Sequence, residues 1–164
     1  MSAKKVSRLA LLVAFALILS YVESFLPVIP IPGAKLGLAN IATLLCLYLY
    51  SPREALVLVV LRTSLSAFLF TGFSALMYAL AGGLLSLAAM CLARRIFKDK
   101  LSIAGISILG AVFHHIGQMI VAVFVLQSLA ILTILPYLLA LSLVTGLFTS
   151  VVAKYILRYV QRFF

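Results

Sequence analysis

Residues 101–153 read LSIAGISILGAVFHHIGQMIVAVFVLQSLAILTILPYLLALSLVTGLFTSVVA, and no Lys, Arg, Asp or Glu interrupts them. No soluble domain of this size has an interior that can hide so long an uncharged apolar stretch, so its solvent is a bilayer. A spanning helix needs about 20 apolar residues to cross a hydrocarbon core of about 30 Å. The stretch therefore predicts two helices, over residues 103–125 and 136–157. The apolar link between them, residues 126–135, is expected to dip back toward the protein.

The same pattern extends outward to the rest of the chain. Its 164 residues are 66% hydrophobic and include three acids. That length holds about six or seven crossings and little else, which predicts a single membrane domain over residues 1–164. Residues 55–93 are interrupted by Arg62 alone and predict helices three and four, with a turn at Thr71-Gly72-Phe73-Ser74. A basic loop over residues 94–100 separates helix four from helix five. Residues 36–50 predict a short second helix that stops at Ser51-Pro52. The first helix, residues 6–25, ends before Pro27, Pro30 and Pro32, which forbid regular helix. Its basic start is like that of a signal peptide. No A-x-A cleavage site appears, however, and five more apolar segments follow, so a retained helix is expected.

Thirteen Lys and Arg give a formal charge of +10. In a soluble protein that balance would point to nucleic acid. Here the cations bunch at the ends of apolar runs with no aromatic-interleaved basic face, so no nucleic-acid partner is expected. Lys4, Lys5 and Arg8 flank the start, and Arg53 sits between helices two and three. Arg94, Arg95, Lys98 and Lys100 fill the fourth loop; Lys154, Arg158 and Arg162 mark the end. With six crossings all four clusters share one side, and Lys35 is the lone cation of the opposite loops. The positive-inside rule then places both termini in the cytoplasm. Cys46 and Cys91 lie singly in apolar runs and read as small buried hydrophobes.

Few residues remain that can carry chemistry. Residues 27–40, PVIPIPGAKLGLAN, combine prolines that fix an extended entry with glycines, Gly33 among them, that permit tight backbone. Lys35 and Asn40 follow at the mouth of the short helix. Non-helical backbone at membrane depth is tolerated against protein or a water-filled cavity, so the segment is expected to line or lid an outward pocket. Arg62 lies nine positions beyond Arg53, or roughly 13 Å of helix rise. At that depth an unpaired cation costs about 2.5–3.5 kcal/mol. Pairing with Glu23 or helix-end carbonyls and contact with a ligand are both open. Lys35 and Arg62 together outnumber Glu23, which favours an anionic ligand.

In helix five, His114 and Gln118 are four apart and share a face, while His115 points about 100° away. They read either as hydrogen-bonded interior groups or as ligand contacts; no metal-ligand set accompanies them. Tyr78 and Ser86 flank Gly82-Gly83 on helix four, where Ala75, Ala79 and Gly83 form a packing stripe and Tyr78 is placed to meet a ligand. Ala10 and Ala14 make a small-xxx-small face on helix one. The chain has no phosphate-cradling G-x-x-x-x-G-K-[ST] loop, a single Asp, and no nucleophile with a base and orienter. Binding or transport, without catalysis, cofactor or metal, is the expectation.

The segment PGAKLGLANI, residues 32–41, resembles the first-loop signature of small bacterial membrane proteins of the Gx transporter family. YALAGGLLS, residues 78–86, and residues 114–118 resemble that family as well. It is often labelled heptaprenyl diphosphate synthase component I, a name that the lack of an aspartate-rich magnesium site does not support as catalysis. The family is similar to the S-components of energy-coupling factor transporters: six-helix bundles with both termini inside and Ala-x-x-x-Ala on helix one. The resemblance implies a subunit of the bacterial plasma membrane that captures a vitamin or precursor from outside, while a membrane coupling subunit and two ATPases drive release. It implies docking of that coupling subunit on Ala10 and Ala14. It also implies a pocket formed by the first loop, with Lys35 and Asn40, and by helices four to six, with Tyr78, His114 and Gln118. Arg62 joins the site on the physical argument alone. The rival expectation is a non-catalytic accessory of prenyl diphosphate or quinone synthesis, or of a membrane redox system. A small channel ranks lower, because the polar residues are too few to line a continuous path.

Overall fold

Among the residues described by the computed structural model, 3–25 and 37–163, the chain forms six α-helices and no strand. They are α1 (Ala3–Ser24), α2 (Asn40–Leu49), α3 (Pro52–Ser66), α4 (Gly72–Phe97), α5 (Ile103–Leu126) and α6 (Leu135–Phe163). Four stretches are long and apolar enough to cross a bilayer: Ala3–Ser24, Pro52–Phe97, Ile103–Leu126 and Leu129–Val160. Large apolar side chains face outward along them, Phe68 at 85% and Phe124 at 71% exposure. Only lipid tolerates such a surface on a helical protein, so the chain is a multi-pass membrane protein.

Local sequence sets where the helices begin. Glu54 Oε2 accepts hydrogen bonds from the Ser51 N–H, at 3.2 Å, and from the Ser51 hydroxyl. With Pro52 in the first turn, this closes a capping box over α3. Ser102 Oγ accepts from the Gly105 N–H at 3.2 Å and starts α5.

Three boundaries differ from the sequence expectation. Between helices three and four, α3 widens into a π turn, Ala67–Thr71, and the chain reverses at Gly72 with φ 81°. Phe73 and Ser74 therefore belong to α4 rather than to the turn. The expected basic loop over residues 94–100 shrinks to a single 3-10 turn, Lys98–Lys100. Arg94 and Arg95 stay in the last turn of α4, where the helix dipole favours cations. Arg94 Nη1 also donates to the Leu47 carbonyl at 2.5 Å and lies 4.5 Å from the Tyr48 ring centroid, capping α2. Finally, α5 ends at Gln127 in a left-handed conformation, φ 49°, and a 3-10 segment Leu129–Ile134 follows. Ile131 and Ile134 turn inward onto Met119 and Leu138, whereas Leu129 is 71% exposed. One side of the link packs back and the other faces out.

Packing fixes the topology. Gly83 abuts Arg62 and Val59 across the reversal at Gly72, so α3 and α4 form an antiparallel hairpin. Gly82 against His114 and Gly110 against Met90 do the same for α4 and α5. Ser107 Oγ donates to the Gly146 carbonyl at 2.7 Å, and His115 meets Ser142 at 2.7 Å, pairing α5 with α6. α1 runs parallel to α3: Lys5 pairs with Glu54 at one end, and the Tyr21 ring lies 5.1 Å from Phe70 at the other. The starts of α1 and α3 and the ends of α4 and α6 thus gather their cations at one end of the bundle. α2 is the core element. Residues 40–47 are buried on every side, as a helix apolar all round must be. Its 10 residues span about 15 Å, half of a hydrocarbon core.

Candidate functional site

The end of the bundle opposite the cations holds a buried polar cluster. Glu23 sits in the last turn of α1, 4% exposed. Its Oε1 accepts from the Gly37 N–H and, at 3.3 Å, from the Leu38 N–H. Gly37 adopts φ 88°, which an L side chain strains to reach. A Cβ there would also press within 3.1 Å of the His114 ring. Glu23 thereby ties the end of α1 to the backbone that enters α2.

Arg62, also 4% exposed, projects from α3 into the same cluster. Its electrostatic partner is Glu23. Its Nε and Nη2 have no hydrogen-bond partner. Both groups line a small cavity with Ser20, Thr63, Ser66 and His114. At about 10 Å³ the space holds about one water.

His114 forms the α5 wall. Its ring lies in a slot between Gly37 and Gly82, and a Cβ on Gly82 would fall 2.9 Å from Nδ1 and from the His114 carbonyl. Gln118 Nε2 and His114 Nε2 are 2.9 Å apart, one helical turn along α5. One turn deeper, Asn40 Nδ2 donates to Ser86 Oγ at 2.7 Å. His115, fully buried, faces α6 instead. Ser142 Oγ donates to the Leu138 carbonyl at 2.8 Å and so accepts from His115 Nδ1.

Of the residues singled out in the sequence, Arg62 and His114 line the cavity, Gln118 supports His114, and Asn40 sits beside them on Ser86. Tyr78 does not join them. It packs with Met119, Ala122 and Leu138, on the face of α4 that meets α5 but one turn from Gly82. Gly33 and Lys35 lie outside the described residues. Ala10 and Ala14 are exposed and line an apolar groove of about 470 Å³ between α1 and α3, with Glu54 at one end.

Sequence reading assigned no site role to Glu23, Ser20, Gly37, Thr63 and Ser66. Ser20 and Glu23 are three apart on α1, and Arg62 and Ser66 four apart on α3, so each pair shares a face. That spacing around the two charges within apolar runs was the available signal.

The helical bundle thus buries a carboxylate, a guanidinium and an imidazole around one small cavity. The sequence profile of the heptaprenyl diphosphate synthase component I family matches residues 12–156, and the chain belongs to that family. No curated protein gives a significant match. Among solved structures, the S component of a bacterial ECF transporter superposes with a TM-score of 0.69 at 21% identity, covering 98% of this chain and 96% of that one. The chain therefore has the fold of that S component.

Proposed function

We propose that this chain is the substrate-binding membrane subunit of an energy-coupling factor type importer, capturing a small anionic vitamin or precursor from outside the cell. The observation that carries this reading is the buried cluster of Glu23, Arg62 and His114 inside an S-component fold. Charged groups within a bilayer face a bundle interior or a substrate path, and here they line an interior cavity. Six crossings, with the cation-rich end of the bundle in the cytoplasm of a bacterial cell, place the cluster toward the outer surface. Lys35, Gly33, Asn40 and Gln118 extend the site. Tyr78 backs the site from the apolar layer it shares with Met119, Ala122 and Leu138. Ala10 and Ala14 receive the coupling subunit, which with its ATPases supplies the energy this chain has no phosphate loop to extract.

Native mass spectrometry of protein purified from its source membrane tests the reading. A capture subunit retains a stoichiometric small molecule without ATP. The family's name favours a second reading, a non-catalytic accessory of prenyl diphosphate or quinone synthesis. Such an accessory would retain no solute and co-purify with a synthase; that outcome would replace the first reading.

A further inference from the structure

Arg62 offers a specific docking edge. Of the five guanidinium N–H bonds, the one on Nε and the nearer one on Nη2 point the same way, forming the side-on fork that grips two oxygens of one carboxylate or phosphate. Nε and Nη2 are both buried without a hydrogen-bond partner, in a residue 4% exposed. Gly83 lets this edge pack closely on α4, since a Cβ there would lie 3.3 Å from Nη2 and 2.9 Å from Val59 Cγ1. Glu23 supplies countercharge, but its Oε1 is engaged by the Gly37 and Leu38 N–H groups.

Resting on the capture reading above, we propose that Arg62 binds the carboxylate or phosphate of the ligand on its Nε–H/Nη2–H fork, and that this anion replaces Glu23 as the countercharge. The cavity holds about one water, so an entering anion must displace a neighbour. Glu23 is the neighbour of like charge, and one guanidinium neutralises either group. The two carboxylates cannot both sit beside Arg62 without mutual repulsion. Glu23 therefore weakens the site for anions while holding it in order before they arrive.

The test uses full-length protein in lipid nanodiscs labelled with ¹⁵N-arginine, the Arg62 Nε–H resonance being assigned by its loss in Arg62→Lys. Sodium acetate and sodium phosphate are titrated against sodium chloride at equal ionic strength. The expected result is a saturable shift of the Arg62 resonance with acetate or phosphate and none with chloride. Glu23→Gln, which keeps an acceptor for Gly37, should tighten that binding by about tenfold. A shift from acetate alone identifies a carboxylate ligand; one from phosphate alone, a phosphate. No saturable shift, an equal response to chloride, or a Glu23→Gln affinity that is unchanged or weaker would overturn the proposal. If Glu23→Gln does not fold, the wild-type titration decides. A retained solute lacking both groups would sink this inference and leave the capture reading standing. A saturable shift in a protein that retains no solute would do the reverse.

Discussion

Arg62 stands out in the sequence because a cation interrupts an otherwise apolar run, and the structure buries it inside the bundle at 4% exposure. Its partner could not be read the same way. Glu23 lies on another helix, and whether the two meet depends on how α1 leans on α3, which hydropathy does not encode. The structure brings them into one cavity, so Glu23 supplies countercharge and the sequence-level surplus rests on Lys35. Removing one member of a buried charge pair typically costs about 3–5 kcal/mol, because the other is left uncompensated. Glu23→Leu should therefore lower the unfolding temperature in detergent markedly, and Glu23→Leu with Arg62→Leu should recover most of the loss. Thermal scans of the two single variants and the double form a cycle. Additive losses would mean that the two charges are not coupled. Tyr78 packs apart from this cluster for a related reason. It shares a helix face with Gly82, but at 5.4 Å per turn the level along α4 decides what it meets. At its level α5 presents Met119 and Ala122 rather than His114.

At the scale of helices, the ends of apolar runs marked α1 and α5 to within a few residues, because prolines and cations punctuate them. The extension of α4 through Arg94 and Arg95 was hidden, since a cation can end a helix or lie in its last turn equally well. The stripe of small residues on α4 did not mark the α4–α5 seam, since its Gly83 faces Val59 and Arg62 of α3. At the seam itself a Cβ at Gly117 would fall 2.6 Å from the Ala81 carbonyl oxygen and 2.9 Å from Gly82 Cα. Both contacts are backbone, so no side-chain rotation relieves them. Gly117→Ala should force the helices apart at a cost of about 1–3 kcal/mol. It should also loosen the slot that holds His114, three residues away on α5. Unfolding temperature and hydrogen exchange at the residues facing the slot check this together. Unchanged exchange in a destabilised variant would separate the seam from the site.

For the whole molecule, α1 connects two regions at opposite ends of the bundle. Its last turns carry Ser20 and Glu23 to the polar cavity. Its first half carries Ala10 and Ala14 into the apolar groove shared with Val57, Leu58 and Leu61 of α3. The groove opens near the Lys5–Glu54 pair, at the cation-rich end. Under the positive-inside assignment that end faces the cytoplasm, where ATPases would act. Small residues let another helix approach closely in a bilayer, where packing rather than water drives association. Leucines at positions 10 and 14 would fill the groove and hold a partner helix off, yet they touch none of the cavity residues. The paired substitution Ala10→Leu/Ala14→Leu should therefore leave solute binding by purified protein within about twofold of wild type, since exposed substitutions usually change stability by less than about 0.5 kcal/mol. If the chain acts as the proposed importer subunit, uptake of the same solute by cells carrying the coupling subunit and ATPases should fall to background. Preserved uptake would show that coupling runs through another face. Loss of both binding and uptake would show that the groove and the cavity are one mechanical unit along α1, not two separable regions.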